Sequence, residues 1–199
     1  MLRDSLDNQA LRTTAARLTR MKTWLFLLAI MLPTLAQSIT PPFSLAQSTL
    51  DPEQRLKELN LTLPEPTRPV ANYVPAVRTG SLLFVAGHGP CGMPTEKSTG
   101  KVGRERTIED GYAAAHQTAL CLLATVKAEV GSLKKVNRIV RVFGMVNAVD
   151  GFDQHPKVIN GGSDLLVAVF GERGKHARAA VGMASLPFNW TVEIEMVVE

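Results

Sequence analysis

The pattern of apolar and polar positions predicts a series of strands and helices from about residue 73 to the C-terminus. Apolar stretches at residues 73–77 and 82–86 are typical of strands, and the glycine-containing segment 78–81 between them predicts a hairpin turn. A longer stretch rich in β-branched residues, 136–146, predicts a third strand. Pro75 favours an edge position for the first strand, because proline cannot donate to a central ladder.

Two longer segments have helical periodicity. Thr107 and Asp110 form a capping-box signal, which predicts a helix from there to about Val130 with Gly131 as its cap. The apolar face of this helix is Tyr112, Ala115, Ala119, Leu122, Leu123, Val126 and Val130. A second helix is predicted for residues 156–170, because proline is favoured in a first turn.

The C-terminal segment predicts two strands joined by a turn at Leu186-Pro187. The last strand alternates apolar residues with Glu193 and Glu195, so one side of it faces a core. The order β-β-α-β-α-β-β predicts an α+β fold in which one mixed sheet carries two helices on one face. We expect Arg178, in the first of these two strands, to lie on a strand adjacent to that of Glu193.

Arg178 is the strongest candidate for a functional residue. It lies among small and apolar residues, where a guanidinium with five donors is costly unless an anion meets it. A carboxylate-bearing ligand would meet that need. The alternative is a structural arginine paired with Glu193 or Glu195 on the neighbouring strand.

The N-terminal segment has the features of a secretory signal peptide. An apolar run at residues 24–35 follows a basic stretch, and it is too short for a comfortable membrane-spanning helix. Small residues precede Gln37 and Gln47, and we favour cleavage before Gln47. We therefore expect an extension and signal peptide at 1–46, a lead-in at 47–70 and one domain at 71–199, in a periplasmic or secreted protein. An uncleaved membrane anchor and a mitochondrial presequence are the alternatives.

Charge and cysteine content narrow the function classes. Residues 1–22 carry +3 of the formal net charge of +4 over 199 residues, so no large basic surface for nucleic acid is expected in the folded part. The two cysteines match no zinc motif and are too few for a disulfide scaffold. We expect Cys121, in mid-helix, to be a core residue, with a disulfide to Cys91 after export as the alternative. The four histidines show no metal-type spacing, so no metal site is expected.

With these elements assembled, residues 73–199 resemble the RidA family of enamine/imine deaminases, also called YjgF or endoribonuclease L-PSP. The segments that carry the resemblance are Ala177-Arg178, Leu186-Pro187, Val192-Glu193-Ile194-Glu195, Leu83-Phe84-Val85-Ala86-Gly87 and Val158-Ile159-Asn160, together with Tyr73. The chain is most similar to a subgroup described as endoribonuclease L-PSP/chorismate mutase-like.

The resemblance implies a chorismate mutase-like fold that assembles as a homotrimer with sites between subunits and no cofactor. It implies that Arg178 binds the carboxylate of a small metabolite and that Glu193 places the attacking water. Tyr73, Gly87 and Asn160 would line the cleft. The implied reaction is hydrolysis of a small 2-imino acid to a 2-keto acid and ammonia. The family's older name suggests ribonuclease activity, but the low charge of the folded part argues against a nucleic acid partner, and we expect no membrane contact after signal cleavage.

The chain also departs from the family pattern. Ala86, His88 and Ala180 stand where the family commonly has serine, glutamine and cysteine, and His176 replaces a proline. We include His88 among the substrate-binding candidates because it flanks the proposed cleft, as His176 does. The substitutions favour a competing function, that of a non-catalytic trimeric module that binds a small carboxylate. For Tyr73, Gly87, Asn160 and Glu193, a purely structural role is the competing interpretation.

Overall fold

The structure is a computed structural model that describes residues 51–199. The expected signal peptide and its cleavage positions lie outside the described residues. Within residues 51–199, none of the helices combines the length and apolar character needed to cross a bilayer.

The described part confirms the predicted α+β class. Its helices are α1 (Pro52–Glu58), α2 (Thr95–Ser98), α3 (Ile108–Val130) and α4 (His155–Phe170). Its strands are β1 (Ala76–Thr79), β2 (Leu82–His88), β3 (Ile139–Asn147), β4 (Ala177–Met183) and β5 (Val192–Val198). The predicted capping box is present, with the Thr107 hydroxyl accepting from the Asp110 amide and the Asp110 carboxylate accepting from the Thr107 amide. Gly131 caps α3 with φ of 83°.

The strands form one five-stranded mixed sheet in the order β1-β2-β5-β3-β4. Strands β3 and β4 run parallel and are joined by α4, whereas the other pairs are antiparallel. Our expectation that the two C-terminal strands are neighbours is wrong, since β3 lies between them. The β3-α4-β4 segment is a crossover connection, which places β4 beside β3 rather than beside β5.

Both long helices cover one face of the sheet. Close contact between them depends on Gly161 in α4, where a Cβ would overlap the Tyr112 carbonyl of α3. The other face carries no helix within residues 51–199 and exposes apolar side chains: Val77 and Phe84 are 56% and 46% exposed. Exposed apolar side chains of this size are typical of an interaction surface.

A disulfide joins Cys91, in the loop after β2, to Cys121 in the middle of α3. Cys121 is buried, as expected, but our preference for an unpaired core cysteine is wrong. The pairing has a physical basis, because the loop crosses α3 with the two Cα atoms 6.1 Å apart, within disulfide range. The bond fixes the end of β2 to the helix layer.

Removing both cysteines tests the contribution of this bond. We expect Cys91→Ser/Cys121→Ser to lose about 3–4 kcal/mol of unfolding free energy, because the bond closes a loop of 30 residues. Denaturant unfolding should show the same loss when the wild-type protein is reduced with dithiothreitol. The double variant is the control, since the reductant should leave it unchanged. Equal wild-type midpoints with and without reductant would contradict this assignment.

Candidate functional site

The site begins at an irregularity in the pairing of β2 with β5. Val85 pairs with Met196 and His88 pairs with Ile194, so three steps along β2 oppose two along β5. This is a β-bulge, which inserts one extra residue into β2. The extra residue returns His88 to the face covered by helices, whereas regular alternation from the buried Val85 would point it to the uncovered face.

The imidazole of His88 is consequently sealed inside the protein, 5% exposed. Its Nδ1–H donates to the Ala86 carbonyl and its Nε2 accepts from the Thr125 hydroxyl, both at 2.8 Å. Burial lowers the pKa of His88, so the ring is neutral at physiological pH. Both ring nitrogens are engaged, so the imidazole has no free polar atom for a ligand. Any contact of His88 with a substrate would have to come from its backbone.

Glu193 lies on the uncovered face, opposite the buried Val192 and Ile194. Its carboxylate packs against Gly87, at which a Cβ would overlap the Glu193 side chain. The half-buried carboxylate makes no hydrogen bond or ion pair with any residue of 51–199. Burial, and secondarily the charge of Glu195, raises the pKa of Glu193. A carboxylate with these properties is suited to accept a proton near neutral pH.

Arg178 lies on β4 and is held by α4. Its Nη1 donates to Asn160 Oδ1 at 2.9 Å and to Ser163 Oγ at 3.0 Å. The Nε and Nη2 hydrogens have no partner within residues 51–199, and the side chain is exposed. These hydrogens form the edge that a carboxylate meets with two parallel hydrogen bonds. The hydrogen bonds of Nη1 thus orient the arginine side chain, and its Nε and Nη2 groups remain available to a ligand.

His176 completes this second cluster. Its Nδ1–H donates to the Gly174 carbonyl at 2.6 Å, so in the neutral ring Nε2 accepts from the Ser163 hydroxyl at 3.0 Å. Burial, and secondarily the charge of Arg178, lowers the pKa of His176 and favours this neutral form. The Ser163 hydroxyl therefore donates to His176 and presents its lone pairs to Arg178. Sequence reasoning missed Ser163, although it lies three residues after Asn160 and so on the same helix face.

The structure does not bring Arg178 and Glu193 together within one chain. Arg178 is in register with Val142, and Val142 with Met196, so it lies on the helix-covered side. Glu193 lies on the other side, and two strand spacings separate β4 from β5, roughly 10 Å. The expectation of adjacent strands is corrected, and an intrachain Arg178–Glu193 ion pair has no support in this geometry.

Tyr73 and Gly87 both line a cavity of about 240 Å³, and Gly87 also contacts the Glu193 carboxylate. Its further walls include Phe188 and Trp190, which the sequence analysis overlooked. Two aromatic residues directly after the Leu186-Pro187 turn were the available signal. The candidate residues thus divide into two groups, Tyr73 and Gly87 with Glu193, and Asn160 with Arg178. Residues 51–199 contain no group of three or more His, Cys, Asp or Glu placed to hold a metal ion.

Comparison with known proteins agrees with this fold. The profile of the family described as "YjgF/chorismate mutase-like, putative endoribonuclease" matches residues 53–199. The Trypanosoma cruzi protein TCP17 is 40% identical over 145 residues, covering 72% of this chain and 91% of that protein. The chain belongs to the YjgF/RidA family.

Two solved structures show the same YjgF/RidA fold. Atu1372 from Agrobacterium tumefaciens, a protein with unknown function, is 47% identical with a TM-score of 0.69, over 74% of this chain and 91% of that one. A putative endoribonuclease from Shewanella oneidensis MR-1 is 33% identical with a TM-score of 0.72, over 75% and 99% of the two chains. The family resemblance seen in the sequence is confirmed.

The buried neutral His88 has a consequence for acid stability. A group whose folded-state pKa is lowered stabilises the fold above its unfolded pKa, 6.5 for histidine, and that stabilisation is lost as the pH falls below this value. We expect the unfolding free energy to decrease between pH 6.5 and 5, with His116 and His176 contributing in the same direction. His88→Gln should make that decrease shallower, by up to about 1.4 kcal/mol per pH unit.

Urea unfolding at half-unit pH steps measures this dependence. Thr125→Val is the matched comparison, because it removes the partner of Nε2 and keeps the histidine. We expect it to lower stability at pH 7 by about 1–3 kcal/mol and to retain a pH dependence. An unchanged slope in His88→Gln would contradict the assignment of His88 as a buried neutral histidine.

Proposed function

We propose that this YjgF/RidA protein is an enamine/imine deaminase, which hydrolyses a 2-imino acid to a 2-keto acid and ammonia at a site assembled from two copies of the chain. The observation that carries the proposal is the division of the site. One half is an oriented guanidinium with free donors, and the other is an unpaired carboxylate with a raised pKa. The Arg178 half supplies a group that binds the substrate carboxylate, and the Glu193 half supplies a base.

The Arg178 half is suited to bind the substrate carboxylate. Asn160 and Ser163 fix Nη1, so the free Nε–Nη2 edge is oriented before a ligand arrives. Two parallel hydrogen bonds to a carboxylate would then set the position of the adjacent C2 carbon. Because the guanidinium already has neutral acceptors and no counter-ion, an anion adds charge neutralisation.

The Glu193 half is suited to handle the water. Glu193 would take a proton from a water molecule while the water oxygen bonds to C2 of the protonated imine, giving a carbinolamine. The proton then passes to the nitrogen, the C–N bond breaks with its electron pair going to nitrogen, and loss of the remaining hydroxyl proton gives the 2-keto acid. Backbone groups near Gly87, which the Glu193 carboxylate contacts, lie where they could meet the nitrogen. This chemistry requires no cofactor.

Two features of the sheet support the proposal that the two halves are joined between copies. Strand β4, with Arg178, is an edge strand, and the uncovered sheet face exposes the apolar side chains of Val77 and Phe84. A contact that places one chain's β4 edge beside the next chain's Gly87 is heterologous, and a heterologous contact forms a ring when its rotation closes. The family expectation of a homotrimer is our proposal for that ring.

A second candidate is a module that binds a small carboxylate without turnover. Ala86 and Ala180 offer no polar side-chain atom where the family commonly has serine and cysteine, and the His88 imidazole is sealed. Stabilisation of the fold by 2-oxobutanoate without any imine hydrolysis would favour this module. We do not propose the ribonuclease activity in the family description, because the charge outside residues 1–22 is only +1.

We also propose that the protein is exported. The apolar run at residues 24–35 and the disulfide support this, because disulfides persist in oxidising compartments. Mass spectrometry of the mature chain should find an N-terminus at Gln37 or Gln47. A mature protein that keeps residues 1–36 in the cytoplasm would contradict export.

Removal of the guanidinium tests whether Arg178 binds the substrate carboxylate. We expect Arg178→Ala to lower kcat/KM for freshly generated 2-iminobutanoate by at least about 30-fold, since truncating a charge-paired partner costs about 2 kcal/mol or more. Arg104→Ala is the control, because Arg104 is an exposed arginine paired with Glu105 outside the site. Keto-acid release is the measurement, and unchanged release in Arg178→Ala would rule out this function.

The raised pKa of Glu193 sets the acid limb of the pH–rate profile. A base must be deprotonated, so we expect kcat/KM to fall with decreasing pH already above pH 4.5, the ordinary glutamate value. Glu195→Gln removes one cause of the raised pKa, and should move this limb to lower pH. Glu193→Gln should abolish the acid limb and most of the activity. A limb that Glu195→Gln moves upward would contradict the assignment.

A further inference from the structure

The cavity beside Gly87 has walls that the hydrolysis of a small imine does not require. We call it the aromatic pocket, and its walls are mainly apolar. They are formed by Thr67, Arg68, Pro69, Val70, Tyr73, Pro75, Gly87, His88, Gly89, Cys91, Phe188 and Trp190. Tyr73 and Phe188 are 48% and 63% exposed, so in the isolated chain large aromatic surfaces face open space. Apolar walls with a few polar groups are typical of small-molecule sites.

The turn before β5 holds its aromatic residues at the pocket against backbone preference. Phe188 has φ of 54° and Asn189 has φ of 56°, a left-handed conformation that is rare for a bulky residue. Asn189 is held there by the buried Asn147, whose Nδ2 donates to Asn189 Oδ1 at 3.1 Å. The Phe188 ring lies 5.0 Å from that of Trp190. Strain of this kind, maintained by surrounding contacts, is characteristic of binding sites.

The pocket is also preformed. The Trp190 indole packs on Gly89, where a Cβ would overlap the ring. The adjacent Cys91 is tied to α3 by the disulfide, so the loop that forms this wall cannot move freely. A rigid apolar pocket binds an apolar group without an ordering cost.

Size and charge specify the occupant. A volume of 240 Å³ corresponds to about eight water molecules at about 30 Å³ each. A methyl or ethyl group would displace only one or two of them, whereas a branched or aromatic side chain would displace several. Arg68 borders the pocket and has no hydrogen bond or ion pair within residues 51–199. Its positive charge favours anionic ligands and disfavours a cationic side chain.

We infer that the aromatic pocket binds the side chain of the substrate, and that the protein selects 2-imino acids with bulky apolar side chains over the small ones. Gly87 both lines the pocket and contacts the Glu193 carboxylate. A substrate with C2 beside Glu193 therefore has its side chain at the pocket mouth. The inference rests on the proposed function and replaces the small 2-imino acid expected from the sequence with a bulkier class.

Binding of 2-oxo acids, the products, tests this without requiring turnover. In full-length Trp24→Phe protein, Trp190 is the sole tryptophan, so quenching of its fluorescence reports occupancy of the pocket. We expect 4-methyl-2-oxopentanoate to bind at least about tenfold more tightly than 2-oxobutanoate, from its two additional buried carbons. Phe188→Asn, which tolerates the left-handed backbone, should bring the ratio of the two Kd values toward one. Val167→Asn, an exposed position on α4, should preserve the ratio.

Turnover of the two corresponding imino acids separates this inference from the proposed function. Equal Kd values with hydrolysis of both imines would overturn the side-chain pocket and leave the deaminase proposal standing. Selective binding of the branched 2-oxo acid without any hydrolysis would overturn the deaminase proposal and support the pocket. Failure of both 2-oxo acids to quench Trp190 would overturn the pocket.

Discussion

The pairing of β5 between β2 and β3 determines where every candidate site residue lies. Each residue of this central strand is fixed by ladders on both sides, so Val192, Ile194 and Met196 bury under the helices while Glu193 stays on the uncovered face. The same pairing moves β4 to the edge and places Arg178 on the opposite side of the sheet. One chain therefore holds a carboxylate and a guanidinium that cannot meet within it.

Each half of the proposed site is held in place by contacts within its own chain. The β-bulge and the close packing on Gly87 fix Glu193, and the helix α4 fixes Arg178 through Asn160 and Ser163. One physical cause shifts a pKa in both halves, which is burial without a partner of opposite charge within residues 51–199. Burial raises the pKa of the Glu193 carboxyl and lowers the pKa of the His176 imidazole, so both shifts favour the neutral forms. In the proposed oligomer, association would only have to bring two prepared surfaces together.

Local signals in the sequence were sufficient for the two long helices, the last strand and the family, whereas the first strand, predicted at 73–77, is Ala76–Thr79 in the structure. The capping box at Thr107, the cap at Gly131 and the alternation in β5 depend on neighbouring residues alone, and the structure reproduces them. Strand order depends on long-range burial, and there the expectation of adjacent β4 and β5 failed. The crossover through α4 was the available signal, because such a connection returns to a neighbouring parallel strand. The β-bulge that turns His88 inward and the disulfide could not be predicted from local sequence, because both depend on contacts between distant parts of the chain.

Shared sites between copies are the central claim, and mixing two inactive variants tests it most directly. Arg178→Ala and Glu193→Gln chains, each inactive alone, should be unfolded together, refolded as mixed oligomers and assayed for imine hydrolysis. If Arg178 of one copy serves Glu193 of another, random mixing at equal amounts should restore about a quarter of wild-type activity, the fraction of contacts that combine the two intact residues. Mixed oligomers that stay inactive, while wild-type chains taken through the same procedure recover, would contradict a site shared between copies.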